Sequence, residues 1–129
     1  MIDYFFRFPD EATAISQAPA GFYTPAQPGP DPSLGAWNAD KVLPNIKAWR
    51  PSQDIGGQHT YLTGWFAIVS LQNLNQQMLN HAALQFALDR TACIDGRPFV
   101  VKNNIGGVIG DVACAPIFCG SPYPVGGYS

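Results

Sequence analysis

The sequence is short of charge: seven Lys and Arg with nine Asp and Glu make 12% of its 129 residues, against about 25% in an ordinary soluble domain. Arg7, Lys41, Lys47, Arg50, Arg90, Arg97 and Lys102 are scattered along the chain, and the net charge is −2. With no basic face to neutralise phosphates, nucleic acid is excluded as an expected partner. Long hydrophobic runs are missing too. The stretch from Trp65 to Val69 falls far below the ~20 residues of a spanning helix, so no membrane partner is expected. Cysteine is sparse, at positions 93, 114 and 119, with neither C-x-x-C nor a zinc-ligand spacing. Cys93, Cys114 and Cys119 therefore read as small buried hydrophobes, and no cofactor or metal is expected. Met1-Ile2-Asp3-Tyr4 lacks the basic flank and long apolar stretch of a secretory signal, which points to folding in a cytoplasm with thiols reduced.

What the chain does have is 12 prolines, 13 glycines and a 47% hydrophobic composition. A surface so poor in charge is finished with Asn, Gln, Ser, Thr, backbone and exposed apolar atoms. Little then keeps it apart from its neighbours. This favours a packing or assembly protein over an enzyme. The length suits a single domain, 1–129, whose core buries roughly two-thirds of the unfolded surface.

Ile2, Tyr4, Phe6 and Phe8 alternate with Asp3, Phe5 and Arg7, the period of a strand with one buried face. Pro9 breaks it, Asp10 caps a short helix with Ala14, Ile15 and Ala18 on one side, and Pro19 ends that helix. Prolines at 19, 25, 28, 30 and 32 then exclude helix or central strand and predict an extended Pro-rich arm over 19–34. Ile46 to Arg50 reads as a second strand, Ile55-Gly56-Gly57 as a turn, and Thr60 to Leu71 as a central strand, apolar on both faces. Asn73 reads as the cap of a second helix carrying a Leu74–Met78 pair. Ala83 to Asp89 follows as a strand with Leu84, Phe86 and Leu88 inward. The order strand, helix, strand, strand, helix, strand predicts an α+β fold, a ferredoxin-like split βαβ antiparallel sheet with two short helices. Extra strands follow at Pro98 to Lys102 and Val112 to Cys119, with Pro116 marking an edge or bulge. Residues 120–129 read as a flexible C-terminal arm.

No constellation identifies a reaction. His59 lies near Asp54, the arrangement of a loop base oriented by a carboxylate, but no nucleophile pairs with it. His81 follows a short helix at its C-terminal end, where the dipole favours imidazolium, and both histidines read as structural or simply solvated. Asp89-Arg90 is no natural bridge, because neighbours on a strand face opposite ways. Asp95-Gly96 is a turn signal. Gly106-Gly107-Val108-Ile109-Gly110 lacks the lysine and spacing of a phosphate loop. The aromatics outside the core stripes, Phe22, Tyr23, Trp37, Trp49, Tyr123 and Tyr128, are the interaction candidates, since Trp and Tyr dominate interface hot spots. A long loop pinned to its own domain would use Phe22 and Tyr23 in the same way.

Tyr4-Phe5-Phe6-Arg7-Phe8-Pro9-Asp10-Glu11-Ala12 and Gly64-Trp65-Phe66-Ala67-Ile68-Val69 resemble small proteins of tailed bacteriophages and prophages encoded among virion tail genes. The resemblance covers about a third of the chain and brings no site residues with it. It implies a structural or assembly role in a virion or the host cytoplasm. The implied partners are further copies of the chain or other phage structural proteins. The rival readings are a small ligand-binding domain or enzyme, with a pocket around His59, Asp54 and Trp49 on the sheet face opposite the helices, and a phage-encoded inhibitor of a host protein.

Overall fold

The first strand of the chain ends up in the middle of the molecule. The computed structural model describes residues 1–30, 34–50, 53–94, 97–105 and 116–119. In chain order these form β1 (Ile2–Phe8), α1 (Glu11–Gln17), β2 (Tyr23–Thr24), β3 (Ala36–Trp37), β4 (Val42–Ile46), β5 (Ala48–Trp49), β6 (Trp65–Leu71), α2 (Gln76–Leu79), β7 (Leu84–Ile94), β8 (Arg97–Asn103) and β9 (Ile117–Phe118). The main sheet has five strands in the order β4-β6-β1-β7-β8, and every neighbouring pair is antiparallel. The expected combination of an antiparallel sheet with two short helices is present. No helix among the described residues is long and apolar enough to cross a membrane.

Both faces of the sheet are buried, where the alternation in Ile2–Phe8 predicts one. On one face Tyr4, Phe6, Phe8, Trp65, Ala67 and Val69 pack beneath Ala14 of α1 and Met78 and Leu79 of α2. Asp10 caps α1 as expected. Its carboxylate accepts from the Thr13 amide (2.8 Å) and hydroxyl (2.7 Å), and these bonds hold its pKa below the usual carboxylate value. The cap of α2 is Asn75, whose side chain accepts from the Met78 amide at 3.1 Å. The expected cap, Asn73, lies two residues too early. Leu74 is consequently outside the helix and 56% exposed, so no Leu74–Met78 pair forms. What sets the start is the buried Tyr4 hydroxyl, which accepts from the Asn75 amide at 2.8 Å.

The opposite face is the one on which the rival reading puts an open pocket. It is closed instead by a second layer. Phe5, Phe66, Ile68, Phe86 and Leu88 pack under Ala48 and Phe118, which belong to the two-stranded ribbon β5–β9. This layer exists because the expected strand Ile46 to Arg50 is divided. Pro44 has no amide to donate, and Asn45 takes a left-handed φ of 52°, a conformation Asn tolerates better than most residues. The β4–β6 register shifts there, between Leu43 and Ile46, and the chain leaves the main sheet after Ile46, which still pairs with Phe66. The strand expected over Thr60 to Leu71 divides likewise. Gly64, at φ 124°, separates β6 from Tyr61 and Leu62, which lie against β5. An added Cβ at Gly64 would stand 3.0 Å from the Phe8 carbonyl oxygen, so this close approach requires glycine.

One register detail corrects the inward set of β7. The β1–β7 register shifts between Phe5 and Phe6, so that Phe5 faces Phe86 but Phe6 faces Leu84. The extra residue turns Leu84 to the helix side while Phe86 and Leu88 stay on the ribbon side. Asp3, which the alternation puts on a wet face, is fully buried. Arg90 reaches it in a forked contact, Nη2 to Oδ1 at 2.7 Å and Nε to Oδ2 at 3.1 Å, and the Ser70 hydroxyl donates to the same carboxylate. The carboxylate that Arg90 reaches thus lies on the adjacent strand β1, where Ile2 is the residue that pairs with Asp89. Cys119 is exposed and unbridged rather than buried, while Pro116 is buried. The segments 106–115 and 120–129, and the side chains of Cys93 and Cys114, lie outside the described residues.

Candidate functional site

The outer surface of the second layer carries an aromatic ledge. Its construction starts at Gly56 and Gly57, with φ values of 60° and 79°. Two consecutive positive φ angles are those of a type I′ turn, the two-residue turn that suits the twist of a hairpin. Ile55 and Gln58 close it with two reciprocal amide–carbonyl bonds of 3.0 Å. The next pair outward is Asp54 and His59, and Asp54 Oδ2 lies 3.1 Å from His59 Nδ1. The other carboxylate oxygen of Asp54 is buried without a hydrogen-bond partner among the described residues. From His59 the chain runs on to Tyr61, which bridges Trp49 of β5.

Period 2 then decides what faces out. Ala48 and Phe118 point into the core, so Lys47, Trp49 and Cys119 belong to the outward set. The His59 ring stacks on Trp49 with centroids 4.2 Å apart and planes at 22°. Tyr61 stands across both at 6.2 Å, nearly perpendicular to Trp49 at 82°. The Lys47 ammonium lies over the Tyr61 ring, 4.6 Å from its centre. Tyr61 is 49% exposed, and Ile55 at the turn is 76% exposed. Trp49, His59 and Asp54 are therefore brought together as the rival reading expects, but on the outer surface of the ribbon layer. Tyr61 and Lys47 escaped the sequence reading. Each sits two residues from a residue it singled out, His59 and Trp49, and that spacing was the available signal.

The remaining interaction candidates have other positions. Phe22 is 8% exposed and belongs to the helix-side core. Trp37 is half-buried against Trp65 at 5.3 Å, and its indole donates to Glu11 Oε2 at 3.3 Å. Tyr23, also half-buried, meets Trp37 at 5.0 Å. These three fasten the start of the Pro-rich segment and the β2–β3 ribbon to the helix side, as in a loop pinned to its own domain. Tyr123 and Tyr128 lie outside the described residues.

Beneath that ribbon Phe6, Phe8, Phe22, Trp37, Met78 and His81 help line an apolar cavity of about 30 Å³. This is room for about one water and far less than the ~150 Å³ that admits benzene. His81 packs edge-on against Phe6 and Phe8. Its Nδ1 accepts from the Ala83 amide at 3.0 Å, which leaves the proton on Nε2. Burial pushes the imidazole pKa below its ordinary 6.5, so the unfolded chain takes up the proton more readily than the folded one. Stability is then complete above the ordinary value and falls as pH drops from there toward the lowered one. Urea midpoints measured between pH 7.5 and 5 are expected to fall further for the wild type than for His81→Gln. Parallel curves would remove His81 from that dependence.

Among the described residues no three His, Cys, Asp or Glu side chains gather in a way that holds a metal. No known family, curated protein or solved structure matches the chain.

Proposed function

We propose that the protein is a protein–protein interaction module of a phage or prophage assembly, acting in the virion or the host cytoplasm and binding through the Trp49–His59–Tyr61 ledge. The observation that carries this reading is the ledge itself. Three aromatic rings and a cation are held together on the second layer, outside the core, on a chain with too little charge to keep its surface solvated by repulsion. Aromatic anchors fixed in this way give large contact area at little entropic cost. The phage context comes from the resemblance of the Tyr4–Ala12 and Gly64–Val69 segments. The main sheet is proposed as a ferredoxin-like split βαβ unit lengthened by β8. In support, the strands β1, β4, β6 and β7 lie in the sheet as second, third, first, fourth, with α1 after the first and α2 after the third.

The test is association measured by light scattering over a concentration series, for the wild type and for Trp49→Ala. The expected result is at least a tenfold loss of affinity, which corresponds to about 1.4 kcal/mol, with the fold intact by circular dichroism. An unchanged association curve would remove the ledge from the interface. A second reading, ligand binding or catalysis at His59, draws on the Asp54 contact, which turns Nε2 outward as in an oriented base. Among the described residues no hydroxyl or thiol is hydrogen-bonded to that ring, so binding is favoured over catalysis.

A further inference from the structure

We propose that the occupant of the ledge is the Pro25–Pro28 segment of a second copy, which joins the chains head to tail. The inference rests on the interaction reading above and names its partner. Its first ground is chemical. Surfaces built from Trp and Tyr recognise polyproline segments, which are already extended before they bind and lose little entropy on docking. Trp49 and Tyr61 stand at 82° to each other, with His59 stacked on Trp49, and together they present an exposed aromatic cluster on which a pyrrolidine ring can pack. The chain itself holds a fitting segment. Pro25-Ala26-Gln27-Pro28 spaces two prolines by one polyproline turn of three residues, and residues 24–30 are all exposed.

The second ground is placement. The segment springs from β2, whose neighbours Phe22 and Trp37 are seated on the helix side of the sheet, while the ledge lies over the ribbon on the other side. One copy therefore presents the segment on one side of the sheet and the ledge on the other. Such a contact is heterologous, and it propagates into a ring or an open chain rather than a closed two-fold dimer.

A complementation experiment tests this. Tyr61→Ser damages the ledge and leaves the segment intact. Pro25→Ser with Pro28→Ser damages the segment and leaves the ledge intact. Both changes are at exposed positions, and melting curves check the fold of each. By light scattering the wild type is expected to grow in mass with concentration, and each variant to associate at least tenfold more weakly. An equimolar mixture of the two is expected to stop at a one-to-one pair, since only one working ledge and one working segment remain to meet. A strictly monomeric wild type, or a mixture that stays monomeric, overturns the proposal. If Tyr61→Ser abolishes association while the proline variant matches the wild type, the ledge remains an interface and the segment is not its occupant. If neither variant changes association, both readings fail. Labelled peptides of residues 24–30 and 121–125 separate the sources directly: binding of the second alone would assign the ledge to the C-terminal Pro122-Tyr123-Pro124 and overturn the segment proposed here.

Discussion

Phe118→Ala is expected to lower stability by about 3–5 kcal/mol, the range for removing a fully buried phenylalanine, and to release the ledge from the sheet. Phe118 is 1% exposed although it belongs to a two-residue strand. Its ring stands edge-on to Phe5, Phe66 and Phe86, at 5.1, 5.3 and 5.8 Å and at 84–88°. These partners come from β1, β6 and β7, so one side chain locks the second layer to three strands of the main sheet. Beyond Phe118, the described cover of that face comes from Ala48 and half-buried neighbours such as Ile46 and Leu62. With a total stability of about 5–15 kcal/mol for a domain, the loss would leave the variant marginal. Two readouts separate the effects. The urea midpoint reports the global loss, and near-ultraviolet circular dichroism reports the Trp49–His59 stack. Phe118→Leu, which keeps most of the apolar volume, is expected to recover more than half of the midpoint. A midpoint within experimental error of wild type for Phe118→Ala would mean that the ribbon is held by something other than this ring.

The periodic parts of the chain were legible. Ile2–Phe8 alternates cleanly, Trp65–Leu71 is apolar on both faces, and Asp10 with Glu11 announces α1; each lies where the pattern predicts. The second layer was not legible, and the reasons are local. Its strands are two residues long, too short to display a period. It follows a left-handed Asn45 after Pro44, a proline–asparagine pair that signals a break but not that the chain beyond it crosses to a second layer. The bulge in β7 is equally silent, because Leu84, Phe86 and Leu88 satisfy a regular alternation on paper. The ledge was half visible. His59, Asp54 and Trp49 could be grouped from the Gly56-Gly57 turn, while Tyr61 needed the knowledge that its strand pairs with β5. Phe22 and Trp37 misled because both lie outside the periodic core stripes, Phe22 in a proline-rich context that reads as exposed, whereas their rings fill space over Trp65 and the helix-side core.

Of the buried ion pair, Arg90 is expected to be costlier to remove than Asp3. The usual range for breaking such a pair is about 3–5 kcal/mol, most of it the penalty of the charge left behind. The two leftovers differ here. The Asp3 side chain is 0% exposed and the Arg90 side chain 41% exposed. In Asp3→Ala the guanidinium turns to solvent, and the loss falls near or below the bottom of that range. In Arg90→Ala a carboxylate stays in the core between β6 and β7, and the Ser70 hydroxyl that still donates to it does not neutralise it. That loss belongs in the upper half of the range. Asp3→Asn keeps the oxygen that accepts from Ser70 and is expected to be milder than Asp3→Ala. The double variant Asp3→Leu with Arg90→Leu removes both charges and is expected to be more stable than Arg90→Ala alone, because no carboxylate stays in the core without the guanidinium that answers it. Urea denaturation of the four proteins at pH 7 measures the order directly. If Asp3→Ala proves the more damaging single change, the dominant role of Asp3 is to organise its hydrogen-bond donors, Ser70 among them, and not to answer the charge of Arg90.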